Sequence, residues 1–125
     1  MVSNHDLLHH RRLRCLALND EKFIDSVLAM RPDDLEASGL DPKVHALVRL
    51  GALLALDAAP ASYQSVVGAA LASGATVEEI VGVLIAVAPT VGVARIVSAA
   101  PELALAVGYD IDAALERFDD EGNQP

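Results

Sequence analysis

Signals for helix starts and helix ends follow one another closely in the middle of the chain and leave little room for strands. Asp41 offers a capping carboxylate, and Pro42 follows it at the first helical position. Pro60 fits the first turn of a second helix, and Gly74 suits a left-handed helix end. No segment alternates apolar and polar residues as a half-buried strand does. The sequence therefore predicts an all-α fold.

Further helices are predicted on both sides of this block. Thr76 and Glu79 have the spacing of a capping box that opens a helix at Val77. Because that helix is apolar nearly all round, we expect it to be central or to lie at a subunit interface. Pro89 is expected to break or kink it. The other predicted helices are 6–18, 21–30, 92–100, one that begins at Pro101 and ends at Gly108, and a short amphipathic one over 110–118.

The length of 125 residues suits one compact domain. We expect it to comprise N-terminal helices over about 1–38, a core over 40–108, and an acidic C-terminal helix and tail over 109–125. Hydrophobic residues make up 53% of the chain and aromatic residues 3%, so the core must consist of small and aliphatic side chains. This apolar fraction exceeds what one small core needs, and it predicts a homo-oligomer.

The formal net charge of −9 disfavours binding to the phosphates of nucleic acid. A basic cluster near the start, with Arg11, Arg12 and Arg14, is either a nucleic-acid arm or a solvated helix face. Since no second basic cluster accompanies it, we interpret it as a solvated face. No nucleic-acid partner is predicted.

Cysteine content and hydropathy limit the chemistry and the location. The single cysteine, Cys15, excludes an internal disulfide and a C-x-x-C redox pair. The start of the chain does not resemble a signal peptide, and no apolar run reaches the ~20 residues of a membrane span. We expect a cytoplasmic protein without a membrane partner. His5, His9 and His10 lack a second ligand set, so no metal and no cofactor are predicted.

Two motifs in a fixed order carry a family resemblance. The sequence LDPK at residues 40–43 and the pattern AAL-x-x-GAT-x-EEI at residues 69–80 together resemble the core of the carboxymuconolactone decarboxylase and alkylhydroperoxidase family. The stretch RRLRCLALNDEKFIDSVL at residues 11–28 is similar to the N-terminal helices of the decarboxylase branch. The resemblance implies an alkylhydroperoxidase-like helical domain that assembles as a homotrimer or homohexamer.

The peroxidase branch of this family uses two thiols, a histidine and a glutamate. The resemblance places the thiols on Ala59 and Ser62, and the histidine on Val66. The glutamate falls on Ala46 or Leu47. Alanine, valine and leucine carry no reactive group, and a serine without a neighbouring base is a poor nucleophile. None of these side chains therefore supports thiol chemistry. The sequence predicts no thiol peroxidase activity.

The decarboxylase branch uses acid–base chemistry on the same helix. Pro60 agrees with the proline that opens the helix in that branch, but the His-Glu pair corresponds to Ala61 and Ser62. The later histidine again corresponds to Val66. Tyr63 has too high an ordinary pKa to act as a base unaided. We therefore predict a degenerate active site without the standard decarboxylase activity.

Other residues offer a rebuilt site. His45 and Arg49 are four residues apart and share one helix face. Either they bind the carboxylate of a ligand together, or both lie on the solvated side of the helix and pair with acidic residues of the chain. Arg95 is the single charge in the apolar stretch 80–100. It is either a buried anion ligand or a snorkelling side chain, and the sequence leaves both open.

The sequence thus predicts a divergent family member that binds a small organic molecule in a cleft on the helix after Pro60. The ligand is either neutral or anionic, and the sequence leaves its charge open. The expected ligand-binding residues are Ser62, Tyr63, Ser65, Val66 and Arg95. One alternative is an active lyase or isomerase, for which the catalytic candidates are His45, Arg49 and Tyr63, with Arg95 beside them. The other alternative is a non-catalytic oligomeric scaffold.

Overall fold

All regular structure in the described part of the chain is helical. The computed structural model describes residues 4–30, 38–109 and 116, with side chains from residue 7 onward. The all-α prediction is confirmed; the predicted helix over 110–118 lies outside the described residues except for Glu116. No helix within the described ranges is long and apolar enough to cross a membrane. The helices are α1 (Asn4–Ala17), α2 (Glu21–Leu28), α3 (Pro42–Leu56), α4 (Pro60–Ala72), α5 (Val77–Val91) and α6 (Val93–Ala106).

The chain forms two compact units, Met1–Gly39 and Leu40–Pro125. The first contains α1 and α2, and the second contains α3 to α6. This division falls where the sequence separates the N-terminal helices from the core. A single domain over residues 1–125 stays a prediction.

In the first unit, a tight turn joins α1 to α2. Asn19 adopts a left-handed backbone conformation with φ of 53°, and the Asp20 amide donates back to the Cys15 carbonyl at 2.9 Å. Asp20 then caps α2, because its carboxylate accepts a hydrogen bond from the Phe23 amide at 3.0 Å. One helix therefore ends and the next begins within three residues.

In the second unit, α3, α4 and α5 begin where the sequence places their starts. The Asp41 carboxylate accepts from the Lys43 amide at 2.9 Å and caps α3. Thr76 and Glu79 form the predicted capping box of α5, with both hydrogen bonds at 3.0 Å. A salt bridge of 2.9 Å between Lys43 Nζ and Glu79 Oε2 joins these two helix starts.

The core of this unit is apolar, and α3 lies against α4, α5 and α6. Each helix presents residues three or four positions apart, as an amphipathic helix does. No polar or charged residue of the described ranges is buried, apart from the hydroxyl-bearing Tyr63. The core side chains of the four helices are Ala46, Leu50, Leu54, Tyr63, Val66, Val67, Ala70, Ile80, Leu84, Ala99 and Leu103.

Two prolines lie inside helices; the sequence left this open for Pro89, which was expected to break or kink its helix, and did not indicate it for Pro101. α5 continues past Pro89 to Val91, and Pro101 lies within α6 instead of opening a separate helix. The prediction of a new helix at Pro101 is wrong. Ala99 and Leu103 flank this proline and are buried in the same core, so tertiary packing holds α6 together although one backbone hydrogen bond is missing.

The apolar helix α5 is not central within this chain. Its buried residues are Ile80 and Leu84, whereas Val77 and Val81 are each 46% exposed and Ile85 is 69% exposed. The sequence predicts this helix either to be central or to lie at a subunit interface, and its exposure excludes the central position within this chain. A position at a subunit interface remains as a proposal.

Candidate functional site

The start of α4 carries the positions to which the family resemblance assigns the reactive groups. Ala59 is the N-cap residue and makes no side-chain capping hydrogen bond. Ser62 is half-buried and Ser65 is exposed. Val66 has no exposed surface and belongs to the core. The helix start thus offers neither a thiol nor an imidazole, and the residue at the histidine position packs the interior.

Tyr63 and Arg95 meet at the C-terminal end of α3. The Tyr63 hydroxyl donates a hydrogen bond to the Leu53 carbonyl at 3.3 Å, and the exposed Arg95 guanidinium donates to the Ala55 carbonyl. The last carbonyls of a helix lack intrahelical donors, so Arg95 acts as a cap for α3 at the Ala55 carbonyl. The Leu53 carbonyl accepts from the Ala58 amide at 3.2 Å as well as from the Tyr63 hydroxyl. This gives Tyr63 and Arg95 a structural role that the sequence did not reveal.

The environment of Tyr63 moves its pKa away from neutrality. Burial of the phenol raises the pKa of Tyr63 above its ordinary value of 10.0, and the nearby carboxylate of Asp57 raises it further. A backbone hydrogen bond at Ala58 and the charge of Arg95 act in the opposite direction. The net effect keeps the phenol protonated, which makes Tyr63 less suited to act as a base.

This pKa shift can be measured, because the chain has two tyrosines. In a Tyr109→Phe variant, Tyr63 is the remaining phenol and should titrate above 10.0. Stabilisation from the neutral buried phenol is complete below the unfolded pKa and should be lost as the pH rises through the folded pKa. The ultraviolet absorbance of the phenolate reports the titration. An equal midpoint in the folded protein and in denaturant would show that burial does not act on this group.

His45 and Arg49 do not join this cluster. Both are half-buried on α3, four residues apart as the sequence indicates. Ala55, whose carbonyl holds Arg95, follows His45 by ten residues, which is about 15 Å along a helix axis. The structure therefore brings Arg95 to Tyr63 and not to His45. The catalytic role of His45, Arg49 and Tyr63 stays a prediction.

A pocket between α5 and α6 was not predicted from the sequence. It has a volume of about 350 Å³, and no charged side chain is among the described residues that line it. The sequence signal for it was that α5 is apolar nearly all round, which leaves apolar side chains outside the core. Its walls consist of Val77, Ile80, Val81, Leu84, Ala100, Leu103, Ala104, Val107 and Tyr109.

A second apolar surface lies between α3 and α5. This groove has a volume of about 440 Å³. Val44 and Val48 on its α3 side are 42% and 57% exposed. Its lining residues are Val44, Leu47, Val48, Gly51, Val83, Ala86 and Val87. Within the described part of the chain, no three His, Cys, Asp or Glu side chains are placed to hold a metal ion.

The described residues form a small helical domain with an apolar pocket between α5 and α6 and an apolar groove between α3 and α5. A model of the carboxymuconolactone decarboxylase family matches residues 21–105, which is more than half of the chain. The chain belongs to the carboxymuconolactone decarboxylase family. No curated protein and no solved structure matches it.

Proposed function

We propose that this carboxymuconolactone decarboxylase family member binds a small, largely uncharged organic molecule between α5 and α6. The observation that carries the proposal is the pocket itself. Its volume of about 350 Å³ lies in the range of small-molecule sites, and such sites are mostly apolar with few polar groups. Tyr109 contributes a hydroxyl at this pocket, and its side chain is 52% exposed. Because the described residues that line the pocket include no cation, the apolar body of the ligand provides the affinity.

The second half of the proposal is negative. The protein has neither thiol peroxidase nor the standard decarboxylase activity of its family. Ala59, Ser62 and Val66 supply no thiol and no imidazole at the positions that the resemblance assigns to catalysis. The raised pKa of Tyr63 makes its phenol less suited to accept a proton.

Ligand binding at Ser62, Tyr63, Ser65 and Val66 stays a prediction, and the packing of α4 speaks against it. Tyr63 and Val66 are 2% and 0% exposed, so a ligand reaches them only if α4 separates from its neighbours. The pocket between α5 and α6 needs no such movement. It is therefore the favoured site.

A matched pair of variants tests the binding site. N-phenyl-1-naphthylamine, an uncharged fluorescent probe, should bind the full chain. Ala104→Trp places an indole in the pocket and should weaken binding at least about tenfold, because the space for the probe is lost. Ala94→Trp lies on the same helix at an exposed position outside the pocket and should leave binding unchanged. The readout is the titration of probe fluorescence.

The controls decide whether the proposal survives. Circular dichroism must show equal helix content in both variants. Equal binding by Ala104→Trp and the parent would contradict the proposed site. The same preparation should not reduce a hydroperoxide in the presence of excess thiol reductant. Peroxide turnover that is abolished by Ser62→Ala would contradict the negative half.

The second candidate function is a non-catalytic oligomeric scaffold, and the apolar groove between α3 and α5 favours it. Exposed apolar surface of this kind is typical of subunit interfaces. We propose a homotrimer or homohexamer, in a cytoplasmic location as the sequence predicts. Light scattering on the preparation used for probe binding gives the mass. A stable monomer of 13.1 kDa at micromolar concentration would contradict self-association.

A further inference from the structure

The N-terminal unit contains a pocket of a different chemical character. It has a volume of about 420 Å³ and lies between α1 and α2. Leu8, Arg11, Arg12 and Cys15 form its α1 wall, and their spacing of three, one and three residues places them on one helix face. The opposite wall comes from the α1–α2 turn and the first turn of α2.

The charge of this pocket is opposite to that of the chain. Arg11, Arg12 and Lys22 line it against one carboxylate, that of Asp20, whereas the whole chain carries −9. The Asp20 carboxylate already accepts the Phe23 amide as the α2 cap. None of the three cations forms a salt bridge with any residue in the described ranges. Three cations that form no salt bridge within the described residues, against the single carboxylate of Asp20, create a local positive potential that attracts anions.

The same pocket has apolar walls. The Phe23 ring is half-buried and Leu8 is 42% exposed, and both side chains line the cavity beside the cations. Apolar area next to guanidinium groups suits a molecule with a hydrocarbon or aromatic body and an anionic head. Arginine binds a carboxylate through two parallel hydrogen bonds, which adds geometric selectivity.

We propose that the α1–α2 pocket binds a small organic carboxylate, with the anionic head at Arg11, Arg12 and Lys22 and the apolar body against Leu8 and Phe23. The site is separate from the α5–α6 pocket and does not depend on the function proposed for that pocket. The strong negative charge of the chain as a whole opposes a polyanion such as nucleic acid at the same place.

The test measures binding of 2-naphthoate and its uncharged counterpart 2-naphthamide to the full chain carrying Ala104→Trp, so that the α5–α6 pocket is filled and does not contribute. We expect 2-naphthoate to bind at least about tenfold more tightly than 2-naphthamide, as removal of a charge-assisted contact implies. The double variant Arg11→Gln, Arg12→Gln should lose at least about tenfold in 2-naphthoate affinity. Arg14→Gln is the matched control, because Arg14 lies on the same helix and is exposed but does not line the pocket.

Cys15, the single cysteine, gives an independent readout from within the pocket. At a 2-naphthoate concentration ten times its Kd, alkylation of Cys15 by iodoacetamide should slow about tenfold. The reason is that the fraction of protein with an unoccupied α1–α2 pocket falls in that proportion. An unchanged alkylation rate, equal affinity for 2-naphthamide, or an equal loss in Arg14→Gln would each overturn the proposal. Equal competition by inorganic phosphate would also overturn it, because charge alone would then explain binding. 2-Naphthoate should bind in the Ala104→Trp background, which separates this test from that of the α5–α6 pocket.

Discussion

Replacement of Val66 by histidine should lower the free energy of unfolding by about 2–5 kcal/mol, although the family resemblance assigns a histidine to this position. Val66 is fully buried among apolar side chains. The larger imidazole overpacks the core, and its two nitrogens enter a region where the described residues offer no buried polar side-chain partner other than the Tyr63 hydroxyl. Both effects act in the same direction. Urea unfolding followed by circular dichroism measures the loss.

Ser65→His is the control for this experiment. Ser65 precedes Val66 on α4 and is exposed, so the same substitution there should change the unfolding free energy by less than about 0.5 kcal/mol. Burial lowers the pKa of a histidine, so the loss in Val66→His should grow as the pH falls below the unfolded value of about 6.5. Equal stability of the two variants would show that α4 has room for a histidine at position 66. The family's acid–base chemistry would then be open to reconstruction in this chain.

The starts of α3 and α5 could be predicted from the sequence because capping is local. The Asp41 carboxylate binds an amide two residues away, and Thr76 and Glu79 bind each other's backbone across three residues. Side-chain types at fixed short spacings determine these contacts. Tertiary packing does not depend on such spacings. The continuity of α6 through Pro101 was therefore missed.

The candidate site could be predicted only in part, for the same reason. The hydrogen bonds of Tyr63 and Arg95 join residues 10 and 40 positions apart in the chain. These contacts with the end of α3 become visible only when α3, α4 and α6 are placed together. The α5–α6 pocket likewise combines residues 77–84 with residues 100–109. From the sequence alone, the absence of thiols and imidazoles on α4 could be stated, but the position of a cavity could not.

The proline inside α6 leads to the second large effect. Pro101 has no amide hydrogen, so the Val97 carbonyl lacks its usual partner four residues later. Pro101 is exposed, and Pro101→Ala should restore this hydrogen bond without disturbing the core. We expect the free energy of unfolding to rise by about 1–3 kcal/mol, after allowance for the greater freedom of the unfolded chain. Urea unfolding gives the value.

Pro60→Ala is the matched control, and its effect should have the opposite sign. Pro60 is the first residue of α4, where the missing amide hydrogen is not needed and the fixed φ favours the helix. Its replacement should lower the unfolding free energy by less than about 1 kcal/mol. A loss of stability in Pro101→Ala would contradict the expected gain.

Ala100, Leu103 and Ala104 line the α5–α6 pocket on either side of Pro101, so probe binding by the same variant shows whether the proline shapes this pocket. A more stable variant that binds N-phenyl-1-naphthylamine less tightly would show that Pro101 shapes the pocket at the expense of helix stability.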